Sequence, residues 1–420
     1  QMCIRDRFYL DRIQAISVDG PALNAIITVN PNALAIAKEL DKEYAEGSLR
    51  GPLHGIPVVL KDNIDTGDGM SNTAGARPMA DAMPLQDSPL TAQLRSAGAI
   101  ILAKANLSEW ANFHSQGSSS GWSGLGGQTK NPYDVTRNPC GSSAGSGVAV
   151  SANLCVIAIG TETNGSIVCP ANMNGVVGIK PTVGLISRTG IIPISFTQDS
   201  GGPMARTLTD AVITLGTLTD QDNDDPKTLQ EGRKAETDYT QYLKAEGLQG
   251  KRIGYMKVNY NEADPTQLAM NDALDDLRAL GAEIIELEEV VSREANGASY
   301  QVMLYEFKDG LNKYLATLGE NRPVWDLEDL IEQTFADSIE MQYHNHALLK
   351  IAQEKGDLES EEYLEALEKA QRLSREEGMD KTMDEHNLDA IVAITRGPAW
   401  KTDLVNKDNS GRGSSCLLYT

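Results

Sequence analysis

A lysine that closes an apolar strand, and two serines set among glycines, are the residues of this chain whose types and spacing could do chemistry. The lysine is Lys61, in GIPVVLKDNI (55–64), directly after the run IPVVL. Two readings stand for it. A lysine at a strand end can snorkel to the surface. A lysine kept in the interior loses its proton more readily, because burial disfavours the ammonium, and the neutral amine is then a usable base. The serines lie in NPCGSSAGSG (138–147) and IGTETNGSIVCPA (159–171). A serine hydroxyl is a weak nucleophile at neutral pH and needs an adjacent base. In the second segment an apolar strand runs into Gly165 and Ser166. A tight turn there would present the Ser166 hydroxyl and aim backbone N–H groups at a developing oxyanion. An ordinary Gly/Ser turn is the competing reading.

The first serine segment also contains G-x-S-x-G, with Ser143 at its centre, the pattern of the α/β-hydrolase nucleophile elbow. The elbow requires a strand before it, and this chain offers YDVTRNP (133–139) instead. It also requires a downstream acid and histidine. His344, His346 and His386 are available but sit in charged, helix-like text.

Taken together, Lys61, Gly141-Ser142-Ser143 and Gly165-Ser166-Ile167 resemble the amidase signature family, with the wording GTETNGSIVCPA closer to its peptide-amidase-like branch than to its tRNA-dependent amidotransferase branch. The match runs from about Gly51 to about Thr209, and a thinner similarity continues to GPAWKTDLVN around Lys401. The resemblance implies a role for each matching residue. Ser166 would be the nucleophile, Ser142, next to an unusual cis peptide, the proton relay, and Lys61 the terminal base. The N–H groups of Thr163, Asn164, Gly165 and Ser166 would form the oxyanion hole, with Ser143 supporting the network. It implies hydrolysis of a small-molecule or peptide carboxamide to an acid and ammonia through an acyl-serine, without metal or other cofactor. There are departures. Asn164 stands where this branch commonly carries Asp, Ala144 replaces a more usual Gly or Ser, and the family usually continues beyond the position of Asn409. The alternative is an amidotransferase-like component of a tRNA-dependent transamidation complex. A non-catalytic binding module on the same scaffold would be expected to lose Lys61 or a serine, and all three are present.

These residues need a scaffold, and the rest of the chain describes one. Apolar runs at 56–60, 99–103, 155–159, 251–256, 282–287 and 389–395 read as strands. Helical spacing marks 8–16, 33–44, 90–97, 209–218, 266–280 and a long charged stretch at 345–377. Alternation of the two gives an α/β class, a mixed β-sheet core covered by helices on both faces. The Ser/Gly-dense stretch 115–147 lies between core segments and reads as ordered loop rather than linker. Residues 8–410 are expected to form a single domain, with a helical insert at about 222–386 roofing the pocket. The polar stretch 221–234 reads as a surface excursion.

Among 420 residues, 40% are hydrophobic and 23% charged, the composition of a globular chain. A net charge of −22 repels phosphate backbones and argues against nucleic-acid binding. No run of apolar residues is long enough for a membrane span. The cysteines, Cys3, Cys140, Cys155, Cys169 and Cys416, form no CxxC pair, and their odd number and sparse spacing fit reduced thiols. His344 and His346, two apart, would face different ways on a helix, so a surface pair rather than a metal site is expected. The GLGG of 124–127 lacks the strand and helix that a dinucleotide fingerprint needs. The ends, QMCIRDR (1–7) and the stretch 414–420, read as translated adapter sequence. The true N-terminus would then be missing, which leaves cytoplasm and periplasm both open. The sequence does not indicate an oligomeric state.

Overall fold

The computed structural model describes residues 2–258 and 260–410. In chain order the first half contains α1 (Met2–Arg12), β1 (Ile26–Val29), α2 (Ala33–Ala45), β2 (Pro57–Lys61), α3 (Pro89–Ser96) and β3 (Ile100–Ala105). A short hairpin of β4 (Trp122–Ser123) and β5 (Gly127–Gln128) follows, then α4 (Ala144–Ser151), β6 (Ile157–Glu162), α5 (Val168–Met173), β7 (Val177–Gly178), β8 (Ser200–Ala205) and α6 (Leu208–Gly216). The second half contains β9 (Arg252–Met256), α7 (Pro265–Ala279), β10 (Glu283–Leu287), α8 (Arg293–Thr317), α9 (Leu327–Ala336), α10 (Ala347–Gln353), α11 (Glu361–Ser374), α12 (Asp380–His386) and β11 (Ala390–Ala393).

The central sheet is mixed, in the order β1-β3-β2-β6-β8-β7. Strands β3, β2 and β6 run parallel in its middle, and β1, β8 and β7 add antiparallel edges. The central strands are apolar on both faces because both faces are covered. On one side Val59, Ala103 and Ala158 pack with Tyr9, Ala37, Leu40 and Val148 of α1, α2 and α4. On the other, Val58, Leu60 and Ile159 pack with Leu90 and Leu94 of α3 and Leu215 of α6. Helices thus cover both faces, as the alternation of strands and helices implied. A smaller parallel sheet, β10-β9-β11, carries α7. A helical layer built on α8, α9 and α10 buries Phe307, Leu311, Leu330 and Leu349 against Trp110, Phe113 and Ile192.

Three local expectations are corrected. Residues 345–377 are not one helix. The helical run stops after α10 and restarts at α11, across Gly356 and a turn in which the Asp357 carbonyl accepts from the Ser360 N–H. His344 and His346 are not a helix-surface pair. Both are buried, His344 precedes α10, and His346 takes a left-handed backbone at the helix entry. The cysteines are not all free, since Cys140 and Cys169 form a disulfide. Their separation of 29 residues in sequence carries no hint of contact, which arises only because α5 folds back on the segment before α4. Of the two end segments set aside above, residues 2–7 lie in α1, where Asp6 is buried; 414–420 lies outside the described residues. The stretch 115–147 is ordered loop carrying the β4–β5 hairpin and the start of α4.

Candidate active site

Lys61 is the last residue of β2, a strand buried along its whole length between two parallel neighbours. Its side chain is fully buried. Nζ lies 2.7 Å from Ser142 Oγ, 2.8 Å from Thr161 Oγ1 and 3.2 Å from the Thr161 carbonyl. These partners are hydroxyls and a carbonyl, with no carboxylate among them. The neighbouring Asp62 is committed elsewhere, 3.2 Å from the equally buried Lys104 and accepting from Thr73 Oγ1. Burial therefore dominates, and the charges of Asp199 and Glu162 oppose it only in part; the Lys61 ammonium is pulled down to about 7. Of the two readings open for this lysine, the structure takes the buried one.

The serine segments meet Lys61 from two sides. The Gly141–Ser142 peptide is cis, and Ser142 is fully buried. Ser143 opens α4. Its hydroxyl donates to the Thr161 carbonyl at 3.1 Å and accepts from the Thr161 N–H at 3.2 Å, so it holds the end of β6 and does not face the cleft as an elbow nucleophile would. This approach requires a glycine opposite: a Cβ on Gly160 would stand 2.7 Å from Ser143 Oγ. Gly165 has a φ of +82°, a conformation that favours glycine, and it turns the chain so that Ser166 precedes α5. The Ser143 N–H donates to the Ser166 carbonyl at 3.1 Å, which ties the two serine loops together. Ser142, Thr161, Thr163 and Ser166 line one small buried pocket, and Asn164, Gly165 and Ser166 line an adjoining open cleft of about 360 Å³. The structure thus brings together every residue singled out from the two serine segments and Lys61. Asn164 Oδ1 is buried and has no hydrogen-bond partner among the described residues.

Several supporting residues carried no recognised signal in the sequence. Thr161 binds Lys61 through both its hydroxyl and its carbonyl, and Asn63 donates to the same hydroxyl at 3.0 Å. Glu162 Oε2 accepts from the N–H groups of Ile167 and Val168 at 2.6 and 3.0 Å, which fixes the turn after Ser166. Asp199 accepts from Thr163 Oγ1 at 2.5 Å and from the N–H groups of Ile194 and Ser195. The available clue was position: Thr161 lies one residue before the end of the strand that pairs in parallel with the lysine's own. The Cys140–Cys169 disulfide and Trp400 pack together beneath the cleft. Asp408 accepts from Ser120 and from Trp400 Nε1, closing the C-terminal segment onto the cleft wall.

Known proteins share this fold. The native peptide amidase of Stenotrophomonas maltophilia superposes with a TM-score of 0.94 at 45% identity, covering 99% of this chain and 84% of that one. A protein of Arabidopsis thaliana named as an amidase is 39% identical over 91% of this chain and 75% of its own length. A glutamyl-tRNA(Gln) amidotransferase subunit of Microcystis aeruginosa is 40% identical, but over 66% of this chain and 56% of its own. A family model named Amidase matches residues 7–416. On that match, and on a fold shared across nearly the whole chain, the protein belongs to the amidase family and is a C–N hydrolase of amides.

Proposed function

We propose that this amidase cleaves carboxamides with a Ser166–Ser142–Lys61 triad and without a metal in the reaction. The observation that carries the reading is the fully buried Lys61 amine, 2.7 Å from Ser142 Oγ and neutral above about pH 7, at the pocket that Ser142 shares with Ser166. Ser166 Oγ attacks the amide carbon. Its proton passes to Ser142 Oγ as the Ser142 proton passes to Lys61 Nζ. The N–H groups of Thr163, Asn164, Gly165 and Ser166 receive the oxyanion, an interaction whose loss costs about 3–4 kcal/mol of barrier per donor. Lys61 then returns its proton through Ser142 to the leaving nitrogen, and ammonia departs. Water hydrolyses the acyl-serine by the same relay, giving the carboxylic acid. Ser143 holds the relay in place.

The cleft is lined by Asn112, Ser118, Ser120, Arg396 and Lys407, polar groups suited to the backbone of a peptide amide. Likeness to the peptide amidase over almost the whole chain supports this substrate class. The likeness to the amidotransferase component favours a second reading, as a protein that delivers ammonia within a complex. It covers less of the chain, and a net charge of −22 is poorly suited to RNA. Among the described residues no helix is long and apolar enough to cross a membrane.

The test is ammonia release over a panel of C-terminal peptide amides, aliphatic amides and aryl amides. Ser166→Ala should abolish it, and Lys61→Ala should leave roughly a thousandth or less, in line with the loss of a general base. A Ser166→Ala protein releasing ammonia at the wild-type rate overturns the mechanism.

A further inference from the structure

We propose that Glu109, His114 and His346 form a binding site for a divalent metal ion of the zinc class, separate from the serine site. Glu109 Oε1, His114 Nδ1 and His346 Nδ1 converge. The two nitrogens are 3.2 Å apart, and the carboxylate oxygen lies 3.8 and 3.7 Å from them. Tetrahedral zinc with bonds of about 2.0–2.1 Å needs donor atoms about 3.3 Å apart, so a small inward shift of Glu109 completes three ligands of the set. Two imidazoles and a carboxylate suit zinc, cobalt or nickel better than calcium or magnesium.

Two further observations point to a ligand. Glu109 Oε1 is fully buried, aimed into this space, and receives no hydrogen bond from an amide, imidazole or alcohol group among the described residues. A buried acceptor left in that state is costly. The surroundings also orient the donors as outer groups of metal sites do. His346 Nε2 lies 2.9 Å from the Glu340 carbonyl; as the donor of that bond it leaves Nδ1 as a lone pair facing His114 and Glu109. Glu109 Oε2 accepts from the Gly124 N–H at 2.7 Å, which fixes the carboxylate's other arm. His344 is not part of the set, because its Nε2 accepts from the Ser119 N–H at 3.1 Å. Glu340 stands beside Glu109, and the two carboxyl groups are in hydrogen-bonding contact.

The location gives the site a structural consequence. Glu109 and His114 flank Trp110, Ala111 and Asn112, three successive left-handed residues with φ of 47°, 51° and 72°. Ala111 and Asn112 line the cleft that holds Ser166. His346 belongs to the helical layer. An ion would therefore clamp the cleft wall to that layer.

The experiment uses the full chain produced in zinc-supplemented medium, passed over a weak chelator and analysed for metal by mass spectrometry. About one zinc per chain is expected for the wild type, below about a tenth for His114→Gln and for His346→Gln, and an unchanged value for His54→Gln, a histidine outside the cluster. The same chain produced with cobalt should show the visible bands of a four-coordinate nitrogen–oxygen site with no thiolate absorption. Wild-type zinc below about a tenth of an equivalent, zinc retained by both histidine variants, or an octahedral or thiolate cobalt spectrum overturns the proposal. Should the histidine variants fail to fold, the wild-type cobalt spectrum decides by itself.

Discussion

At the scale of single residues, the proposed chemistry rests on the protonation of one amine. Lys61 is pulled down to about 7 by burial, against its charged form at neutral pH when exposed. The proposed relay needs the neutral amine, so the rate should rise with pH through about 7 as one proton leaves, and a pH–rate profile lacking that limb would separate Lys61 from the base. The same shift has a stability sign. Between about 7 and the unfolded value near 10.4 the unfolded chain binds a proton that the folded chain does not, so stability rises with pH across this window. Lys61→Met removes that dependence. Relative to wild type, the variant should gain stability as pH falls from about 10 to about 7, by up to ~4 kcal/mol before the lost hydrogen bonds to Ser142 and Thr161 are counted. Urea midpoints at the two pH values measure it, and a pH-independent difference between the proteins would refute the linkage. The result would also place the cost of the buried base in folding, a common location for the cost of a functional group.

At the scale of elements, the strands that carry the site were legible in the sequence, because strands covered on both faces read as continuous apolar runs. IPVVL and CVIAI correspond closely to β2 and β6, and Lys61 and the GTETNGS turn emerge at their ends. What was not legible is what those ends touch. Thr161 and Lys61 are 100 residues apart and meet only through the parallel pairing of β2 with β6. The disulfide was invisible for the same reason and was misjudged. It joins the segment before Ser142 to α5, just after Ser166, and closes a loop of 29 residues. By chain entropy such a loop is worth about 3–4 kcal/mol. A Cys140→Ala/Cys169→Ala double variant should therefore lose about 3 kcal/mol by denaturant titration, and ammonia release should fall with it because both serine loops are anchored there. Wild type treated with dithiothreitol should match the variant, and an unchanged midpoint in both would exclude the bond. Cys155 provides the contrast: it is buried with its thiol pushed up to about 12, so it should stay inert to alkylation in the folded protein.

At the scale of the whole molecule, the helical layer is joined to the loop of the proposed nucleophile by buried carboxylates rather than by apolar packing alone. Glu306 of α8 accepts from Ser195 Oγ at 2.5 Å, from the Thr197 N–H and hydroxyl at 3.1 and 3.0 Å, and from the Tyr363 hydroxyl at 2.8 Å. Ser195 also donates its N–H to Asp199, and Asp199 accepts from Thr163 of the proposed oxyanion hole. A second link runs from the α8 residue Tyr314, whose hydroxyl donates to Asp65 at 2.7 Å, close after the end of β2. No pattern in the sequence announces these contacts, since each joins residues of ordinary type across distant stretches of chain. Their burial makes them testable against an exposed carboxylate on the same layer. Glu306→Ala leaves the Ser195, Thr197 and Tyr363 donors unpaired in the interior, so it should cost about 3 kcal/mol and lower kcat/KM for amides by roughly tenfold or more. Glu362→Ala removes the partner of Tyr305 and Lys355 at the solvent-facing side, where screening and mobility leave an ion pair worth less than about 1 kcal/mol, and should leave turnover unchanged. If both variants lose the same stability and neither changes turnover, the helical layer is a cover over the site and takes no part in positioning it. If Glu306→Ala alone slows hydrolysis, the path from α8 through Ser195 and Asp199 to Thr163 holds the oxyanion donors in place.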